Sequence, residues 1–142
     1  MDSNLVMDLL NDGVLTKGLT PVQNPFSDVK LIGIYFSAHW CPPCRNFTPV
    51  LANFYNEVNK NGKQMEIVFA TCDRDLKQFQ DYFNEMPWLT LPFEDPRVET
   101  LSDMYSCQGI PYLVVIKPDG TLVSKKGRNE VGADGSACFA KW

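Results

Sequence analysis

Two cysteines separated by two prolines are the residues of this chain whose types and spacing suggest chemistry. Cys41 and Cys44 flank Pro42 and Pro43 in the segment SAHWCPPCRNF, residues 37–47. Two thiols three positions apart can form half of a metal site, a structural disulfide, or a pair that exchanges disulfide bonds. The surrounding sequence has to discriminate among these possibilities.

Neither a metal site nor a static cross-link is well supported. A structural zinc site needs about four ligands, yet a second CxxC or an HxxxH motif is missing and His39 is the only histidine. A disulfide between residues three apart would close too small a loop to stabilise the fold much. We therefore expect no metal and no bound cofactor, the redox group being the Cys41–Cys44 dithiol itself.

The pair lies between a predicted strand and a predicted helix. The segment VKLIGIYFSA, residues 29–38, is apolar, β-branched or aromatic at nearly every position, as in a strand buried on both faces. Apolar residues then recur at helical spacing from Phe47 to Val58. Pro49 lies inside this pattern and is expected to kink the helix, because it lacks a backbone donor.

This position assigns different tasks to the two thiols. Unpaired N–H groups and the macrodipole favour negative charge at a helix start, so Cys41 is the expected attacking thiolate. Cys44, one turn further along the helix, is expected to stay protonated until it resolves the mixed disulfide. Pro42 and Pro43 suit the first helical positions, where a missing N–H is no loss, and they stiffen the loop.

The other periodic segments complete an alternating pattern. They predict a short helix over residues 3–11 and a strand over 64–71. A second helix is predicted from the apolar stripe Leu76, Phe79, Phe83 and Met86. A short helix capped by Asp95, with Pro96 at its first position, and a hairpin that turns at Pro118–Asp119–Gly120 are predicted to follow. The resulting order predicts a parallel strand pair joined by a right-handed crossover, followed by an antiparallel edge. We expect one α/β domain over residues 1–142.

Composition excludes several functional classes. The 142 residues are 44% hydrophobic with a net charge of -4, which suits one buried core and disfavours nucleic acid as a ligand. The N-terminus lacks the basic and apolar regions of a signal peptide, and no apolar run approaches the roughly 20 residues of a membrane span. The five cysteines are an odd number and lie far apart outside the first pair, which fits a reducing compartment. We expect a soluble monomer of the cytoplasm, with the nucleus as a second location, that binds no membrane.

Several segments resemble the thioredoxin superfamily and, within it, the nucleoredoxin and tryparedoxin branch. These segments are YFSAHWCPPCR (35–45), FTPVL (47–51), MPWLTLPF (86–93), GIPYLVV (109–115) and GRNEV (127–131). The resemblance implies a thioredoxin fold, in which a central mixed β-sheet is flanked by helices on both faces. It covers a core of about 29–131, with extensions at both ends, and it implies protein-disulfide reductase activity.

The resemblance also implies roles for single residues. Cys41 matches the family's nucleophile, Cys44 its resolving cysteine, Pro111 its cis-proline and Trp40 the aromatic residue before the nucleophile. A cis Ile110–Pro111 bond would present the backbone of Ile110 to an extended substrate. Without the resemblance, Pro111 is equally interpreted as an ordinary proline at the edge of a strand. Trp40 could likewise be a tryptophan that only packs in the core.

Two departures from related patterns are informative. Tyr35 stands where ordinary thioredoxins carry a buried Asp, so the proton acceptor for Cys44 has to be water, a backbone-bound solvent chain or Cys41. Arg74 stands at a position where the related tryparedoxins carry an acidic residue. Its cationic side chain would repel the polyamine-linked dithiol that reduces tryparedoxins. The ending ACFAKW is similar to that of small single-domain nucleoredoxin-like proteins.

The expected partners are protein disulfide substrates and an upstream thiol reductant or reductase. Two alternatives stay open, namely a redox-sensitive adaptor for a signalling protein and a tryparedoxin-type electron donor to a peroxidase. His39 is either a pH-dependent group or an exposed loop residue. Cys72 is either an oxidation site or a small buried hydrophobe, and Trp88 either a core residue or a substrate contact.

Overall fold

The computed structural model describes residues 3–142. Its helices and strands, in chain order, are α1 (Ser3–Leu10), β1 (Leu15–Thr16), β2 (Thr20–Pro21), β3 (Leu31–Ser37), α2 (Pro42–Val58), β4 (Met65–Thr71), α3 (Leu76–Phe83), β5 (Leu89–Thr90), α4 (Arg97–Met104), β6 (Tyr112–Ile116), β7 (Leu122–Ser124) and α5 (Gly127–Asp134). Short 3-10 helices cover Lys17–Leu19 and Gly135–Lys141. Within this part of the chain, no helix is long and apolar enough to cross a membrane.

The strands form one mixed sheet in the order β2-β1-β5-β4-β3-β6-β7. β3 and β4 are parallel, in a register that runs from Leu31 opposite Met65 to Ser37 opposite Thr71. β6 pairs antiparallel with β3, and β7 antiparallel with β6. Every residue of β3 and β4 is buried, which explains their near-continuous apolar sequence. The predicted parallel pair and antiparallel edge are therefore confirmed.

Helices cover both faces of this sheet, as predicted. Side chains alternate between faces along a strand, so β3 contributes to two separate cores. One core joins β3 to α2, α3 and α5 and includes Leu31, Tyr35, Leu51, Phe54, Phe79, Phe83 and Val131. The other joins β3 to α1 and α4 and includes Val6, Leu10, Ile32, Ile34, Phe36 and Leu101. The central strand β3 is therefore packed against helices on both of its faces.

Arg97, the first residue of α4, holds the N-terminal helix in place. Its guanidinium makes hydrogen bonds with both carboxylate oxygens of Asp95, the shortest of them 2.6 Å. It also donates to the carbonyl oxygens of Leu9, Asp12 and Gly13, which end α1 and the turn after it. One side chain therefore connects two elements more than 80 positions apart.

The start of α4 differs by one residue from the prediction. Pro96 is the residue before the helix rather than its first residue. Asp95 still caps the turn, because its carboxylate accepts the backbone N–H of Arg97 at 2.8 Å.

The sequence patterns missed the shortest strands and the last helix. β1, β2 and β5 have two residues each, too few for an alternation to be visible. α5 buries only Gly127 and Val131, so it carries no apolar stripe. The C-terminal 3-10 helix after α5 buries Cys138, and Trp142 packs edge-on against Phe54 of α2.

Candidate active site

The two cysteines lie at the junction between β3 and α2. β3 ends at Ser37, and the backbone N–H of Cys41 donates to the carbonyl of Ala38 at 3.2 Å. Cys41 is the residue before the helix, with extended backbone angles, and the two prolines occupy the first two helical positions as predicted. Because prolines have no N–H, Cys44 carries the first backbone donor of α2. The helix then continues through Pro49 to Val58.

The two thiols differ in access to solvent. Cys41 is 6% exposed and Cys44 is fully buried. They pack together with Ala38, and Cys72 and Ile110 cover this small cluster. Burial raises the pKa of the Cys44 thiol and the adjacent Cys41 raises it further, while hydrogen bonds from Ser37 and the Ala38 backbone lower it in part. Cys44 is therefore a neutral thiol at the pH of a cell.

The loop before β6 lies opposite Cys41. Tyr112 pairs with Phe36, so the preceding residues Ile110 and Pro111 are brought level with the turn that follows β3. The Ile110–Pro111 peptide bond is cis. The Cys41 thiol donates a long, weak hydrogen bond to the carbonyl oxygen of Ile110, with 3.8 Å between sulfur and oxygen. A substrate sulfur that approaches Cys41 would meet this loop.

Trp40 forms an exposed rim next to Cys41. Its side chain is 42% exposed, which argues against a packing tryptophan. Its indole N–H donates to the carbonyl of Cys72 at 3.2 Å, and the guanidinium of Arg74 lies 4.7 Å from the ring centre. A cation over an aromatic face is attracted by the ring quadrupole, so Trp40 is fixed from two sides and still faces solvent.

His39 is held by the end of β4. Its backbone N–H donates to a carboxylate oxygen of Asp73 at 2.7 Å, and the same carboxylate accepts the Thr71 hydroxyl at 2.8 Å. The imidazole is half-buried and stacks on the ring of Tyr82, with 5.3 Å between centroids. His39 is thus a packed neighbour of the active site rather than a free loop side chain.

Four buried hydroxyl groups connect beneath the cysteines. Tyr82 bonds Ser37 at 2.7 Å and Thr48 at 2.6 Å, and Tyr35 bonds Thr48 at 2.7 Å. Thr48 also donates to the carbonyl of Cys44 at 3.0 Å. Polar groups thus occupy the region around Tyr35, where ordinary thioredoxins carry a carboxylate.

The three outer cysteines have different surroundings. Cys72 is half-buried against the cysteine pair, and burial, together with Cys107, Asp73 and Cys41, raises its pKa to about 11. Cys107 is also half-buried and Cys138 is buried in the core formed with α2. Within residues 3–142, no three His, Cys, Asp or Glu side chains are grouped so that they could hold a metal ion.

The structure brings together most of the predicted site residues. Trp40, Cys41, Cys44, Ile110 and Pro111 meet at one end of the sheet. Trp88 does not join them: it is 1% exposed and packs edge-on against Tyr35 and Tyr55.

Sequence reasoning missed Ser37, Thr48 and Tyr82. Thr48 follows Cys44 by four positions, which is one helical turn, and Ser37 follows Tyr35 by two, which is one face of a strand. These two spacings were available signals. Tyr82 lies on α3. Only the packing of α3 against β3 brings its hydroxyl within hydrogen-bond distance of Ser37 and Thr48.

Comparisons with known proteins agree with this geometry. A family profile described as thioredoxin-like matches residues 28–122. The chain is similar to nucleoredoxin from Mus musculus, with 46% identity over 101 residues that make up 70% of this chain and 23% of that protein. It is also similar to tryparedoxin from Trypanosoma brucei brucei, with 40% identity over 115 residues, or 80% of this chain and 79% of that protein.

A solved structure gives the same result in three dimensions. Native tryparedoxin I from Crithidia fasciculata superposes with a TM-score of 0.86 at 35% identity, over 98% of this chain and 97% of that one. The chain thus spans about a quarter of the nucleoredoxin length, 79% of the Trypanosoma brucei brucei tryparedoxin and 97% of the tryparedoxin I structure.

Proposed function

The chain belongs to the thioredoxin-like family of oxidoreductases and has the thioredoxin fold that its motifs predict; from this premise we propose that it reduces disulfide bonds in other proteins. The observation that carries the proposal is the unequal access of the two thiols. Cys41 is the residue before α2 and keeps 6% of its surface exposed, whereas Cys44 is fully buried one turn later. A slightly exposed attacker and a fully shielded resolver suit a two-step exchange, whose rates depend on access to each sulfur.

In the first step, the Cys41 thiolate attacks one sulfur of a substrate disulfide and expels the other as a thiolate. In the second step, the sulfur of Cys44 attacks Cys41, which forms the Cys41–Cys44 disulfide and releases the substrate as a dithiol. Two electrons pass from the cysteine pair to the substrate. An upstream thiol reductant or reductase then returns the pair to its reduced form, which is favoured in a reducing compartment such as the cytoplasm or nucleus.

The surroundings of Cys41 indicate how a substrate would be held. The Ile110 loop offers backbone groups to which an extended peptide can pair, and Trp40 offers an exposed apolar face. A groove of about 300 Å³ beside Pro111 is lined by Lys125, Lys126 and Arg128. Although the chain as a whole is acidic, this local positive charge favours acidic substrate segments.

The test is the reduction of insulin by dithiothreitol, with and without the protein. We expect catalysis by the wild type and by Cys107→Ser, because Cys107 is outside the reacting pair. Cys41→Ser is expected to abolish catalysis, and Cys44→Ser to accumulate a mixed disulfide with the substrate. Full activity of Cys41→Ser would refute the assignment of the nucleophile.

A redox-sensitive binding module is the second candidate, and the exposed Trp40 favours it. An aromatic side chain fixed by Arg74 and by the backbone of Cys72 is a suitable anchor for a partner. The double variant Cys41→Ser, Cys44→Ser discriminates the two functions in a pull-down. Undiminished non-covalent binding by this variant indicates an adaptor, whereas capture that needs Cys41 indicates turnover.

Arg74 also bears on a tryparedoxin-type role. Its guanidinium lies over the ring of Trp40, the residue that precedes the attacking Cys41, where it would repel a polyamine-linked dithiol. We therefore expect glutathione to reduce the oxidised protein at least as fast as such a dithiol does. Faster reduction by the polyamine-linked dithiol would instead support electron donation to a peroxidase.

A further inference from the structure

The turn that contains Cys41 has few hydrogen bonds of its own. It covers residues 38–41, between the end of β3 and the start of α2. Within it, the backbone N–H of Cys41 donates to the carbonyl of Ala38 at 3.2 Å. The next two residues, Pro42 and Pro43, have no N–H with which to bind the turn. The position of Cys41 therefore depends on contacts with other elements.

The end of β4 supplies these contacts. The backbone N–H of Cys72 donates to the carbonyl of Ser37 at 2.8 Å, and the carbonyl of Cys72 accepts the indole N–H of Trp40 at 3.2 Å. Between these two bonds, the carboxylate of Asp73 accepts the backbone N–H of His39 at 2.7 Å. A hydrogen bond to a carboxylate is stronger than one to a neutral carbonyl. Asp73 is thus the residue whose side chain binds the backbone of the turn directly.

Asp73 makes this bond from a buried position. It is 9% exposed, and none of the ion pairs formed within residues 3–142 includes it. Its other carboxylate oxygen accepts the Thr71 hydroxyl at 2.8 Å, and the Thr71 oxygen accepts the Asp73 N–H at 2.9 Å. These two bonds fix the direction of the carboxylate. A buried carboxylate without a cationic partner costs stability, and exceptions of this kind are expected at functional sites.

We propose that Asp73 is a positioning residue for the attacking thiol. By binding the backbone of His39, it fixes the turn and thereby the place of Cys41 relative to Cys44 and to the Ile110 loop. The inference rests on the proposed function, because it concerns the geometry of the same exchange. The carboxylate bonds the turn rather than either sulfur, so Asp73 acts through the backbone and takes no part in making or breaking bonds.

A less constrained turn should affect both the rate and the equilibrium of the exchange. Cys41 packs with Cys44, and its sulfur lies 3.8 Å from the carbonyl oxygen of Ile110. Displacement of a reacting group by about 1 Å can cost on the order of 10²-fold in rate. The Cys41–Cys44 disulfide also needs its sulfurs about 2.05 Å apart, and a mobile turn makes that distance entropically costly to reach. The dithiol form should therefore be favoured when the bond from Asp73 is lost.

Four variants separate this role from a general effect on stability. Asp73→Ala removes the acceptor of the His39 N–H, whereas Asp73→Asn removes the charge but keeps an oxygen that can accept it. Thr71→Val removes only the hydroxyl that orients the carboxylate, and it serves as the test should Asp73→Ala not fold. Asp75→Ala is the matched control, because its carboxylate also accepts one backbone N–H, that of Gln78 at 2.7 Å, but at the start of α3.

Two measurements report on the site and one on the fold. The first is kcat/KM for the reduction of insulin. The second is the equilibrium of the Cys41–Cys44 pair with reduced and oxidised glutathione, read after an acid quench and alkylation by mass spectrometry of the tryptic peptide 31–45, which contains both cysteines. The third is the rate at which iodoacetamide modifies Cys138, which is fully buried in the native protein.

We expect Asp73→Ala to lower kcat/KM by at least about 10-fold. Its equilibrium constant for oxidation of the cysteine pair by glutathione should fall about 10-fold, which raises the reduction potential by about 30 mV. Asp73→Asn should stay within about threefold of the wild type in both measurements, because it keeps the acceptor. Thr71→Val should change both in the direction of Asp73→Ala by a smaller factor. Asp75→Ala should match the wild type, and Cys138 should react equally slowly in all of these proteins.

Three results would overturn the proposal. Both measurements of Asp73→Ala within about twofold of the wild type, or no change in Thr71→Val if that variant has to replace it, would show that the turn needs no support from β4. Equal losses in Asp73→Ala and Asp73→Asn would show that the charge acts rather than the bond to the turn. Losses accompanied by faster modification of Cys138 would show a role in the fold alone. A wild type that does not reduce insulin, with the glutathione equilibrium still shifted in Asp73→Ala, would refute the proposed function and support the positioning role.

Discussion

Replacement of Arg97 by Met should release the N-terminal helix from the rest of the molecule. Methionine keeps the length and the apolar stem of the side chain but removes the charge and every donor. The bidentate pair with Asp95 is then lost, and so are the bonds to the carbonyls of Leu9, Asp12 and Gly13. Of the described α1 residues, Val6, Met7 and Leu10 would still pack in the apolar core.

The expected loss of unfolding free energy is about 3 kcal/mol. The Arg97 and Asp95 side chains are only 19% and 10% exposed, so screening by water is limited. Loss of one partner of a buried pair costs about 3–5 kcal/mol because it leaves the other charge unpaired. We take the lower end, since the carbonyls of Asp12 and Gly13 are exposed and can be hydrated.

The loss should also depend on pH. Burial alone would raise the pKa of Asp95, but the hydrogen bonds and charge of Arg97 outweigh it and hold this pKa below its ordinary value. The pair therefore stabilises the wild type fully above the unfolded value of about 3.9, and this stabilisation is lost as pH falls through the lower folded value. The free-energy difference between wild type and Arg97→Met should be largest near neutral pH and shrink in acid.

Urea unfolding followed by tryptophan fluorescence measures the difference, and hydrogen exchange of the α1 amides locates it. The matched control is Lys77→Met, which breaks the exposed pair with Asp81 and should cost less than about 0.5 kcal/mol. An Arg97→Met protein within about 1 kcal/mol of the wild type, with unchanged exchange in α1, would refute the reasoning. A free-energy difference that stays constant in acid would refute the role of Asp95.

Two further predictions follow from packing and burial. A methyl group on Gly127 would lie 2.8 Å from the buried Leu113 side chain, so Gly127→Ala should lower stability by about 1–3 kcal/mol in urea unfolding. Gly132→Ala, in the same helix with open space around it, should instead raise it by about 0.5–1 kcal/mol, and equal effects would contradict the packing argument. Iodoacetamide added to the native reduced protein should modify Cys41 well before Cys44, because Cys41 is 6% exposed and Cys44 is fully buried. Both cysteines lie on the tryptic peptide 31–45, so fragmentation of that peptide in the mass spectrometer measures the order, and the reverse order would contradict the prediction.

Much of the site could be read from the sequence because its key groups are close along the chain. A buried strand, a CPPC motif and an amphipathic helix follow one another without interruption, so the positions of Cys41 and Cys44 at the β3–α2 junction were predictable. The two-residue strands and α5 were missed for the opposite reason. The strands are too short, and α5 too polar, to show a periodic pattern of apolar residues. They form because neighbouring elements stabilise them.

The environment of each group could not be read in the same way. Trp40 was also compatible with a packing role, and its position depends on Arg74 and the carbonyl of Cys72, more than 30 positions away. The sequence was compatible with His39 as an exposed loop residue, whereas its imidazole stacks on Tyr82 of α3. Such contacts cross between elements, so no local pattern encodes them.

The sequence by itself determined the reactive pair, its place at a helix start and the family to which the chain belongs. These are properties of residue type and short spacing, which the backbone translates directly into local geometry. Only the tertiary structure decided that Cys44 is closed to solvent and that Ser37, Thr48 and Tyr82 meet beneath it. Burial and hydrogen bonding depend on which side chains three separate elements bring to one point, and that follows from packing of the whole sheet.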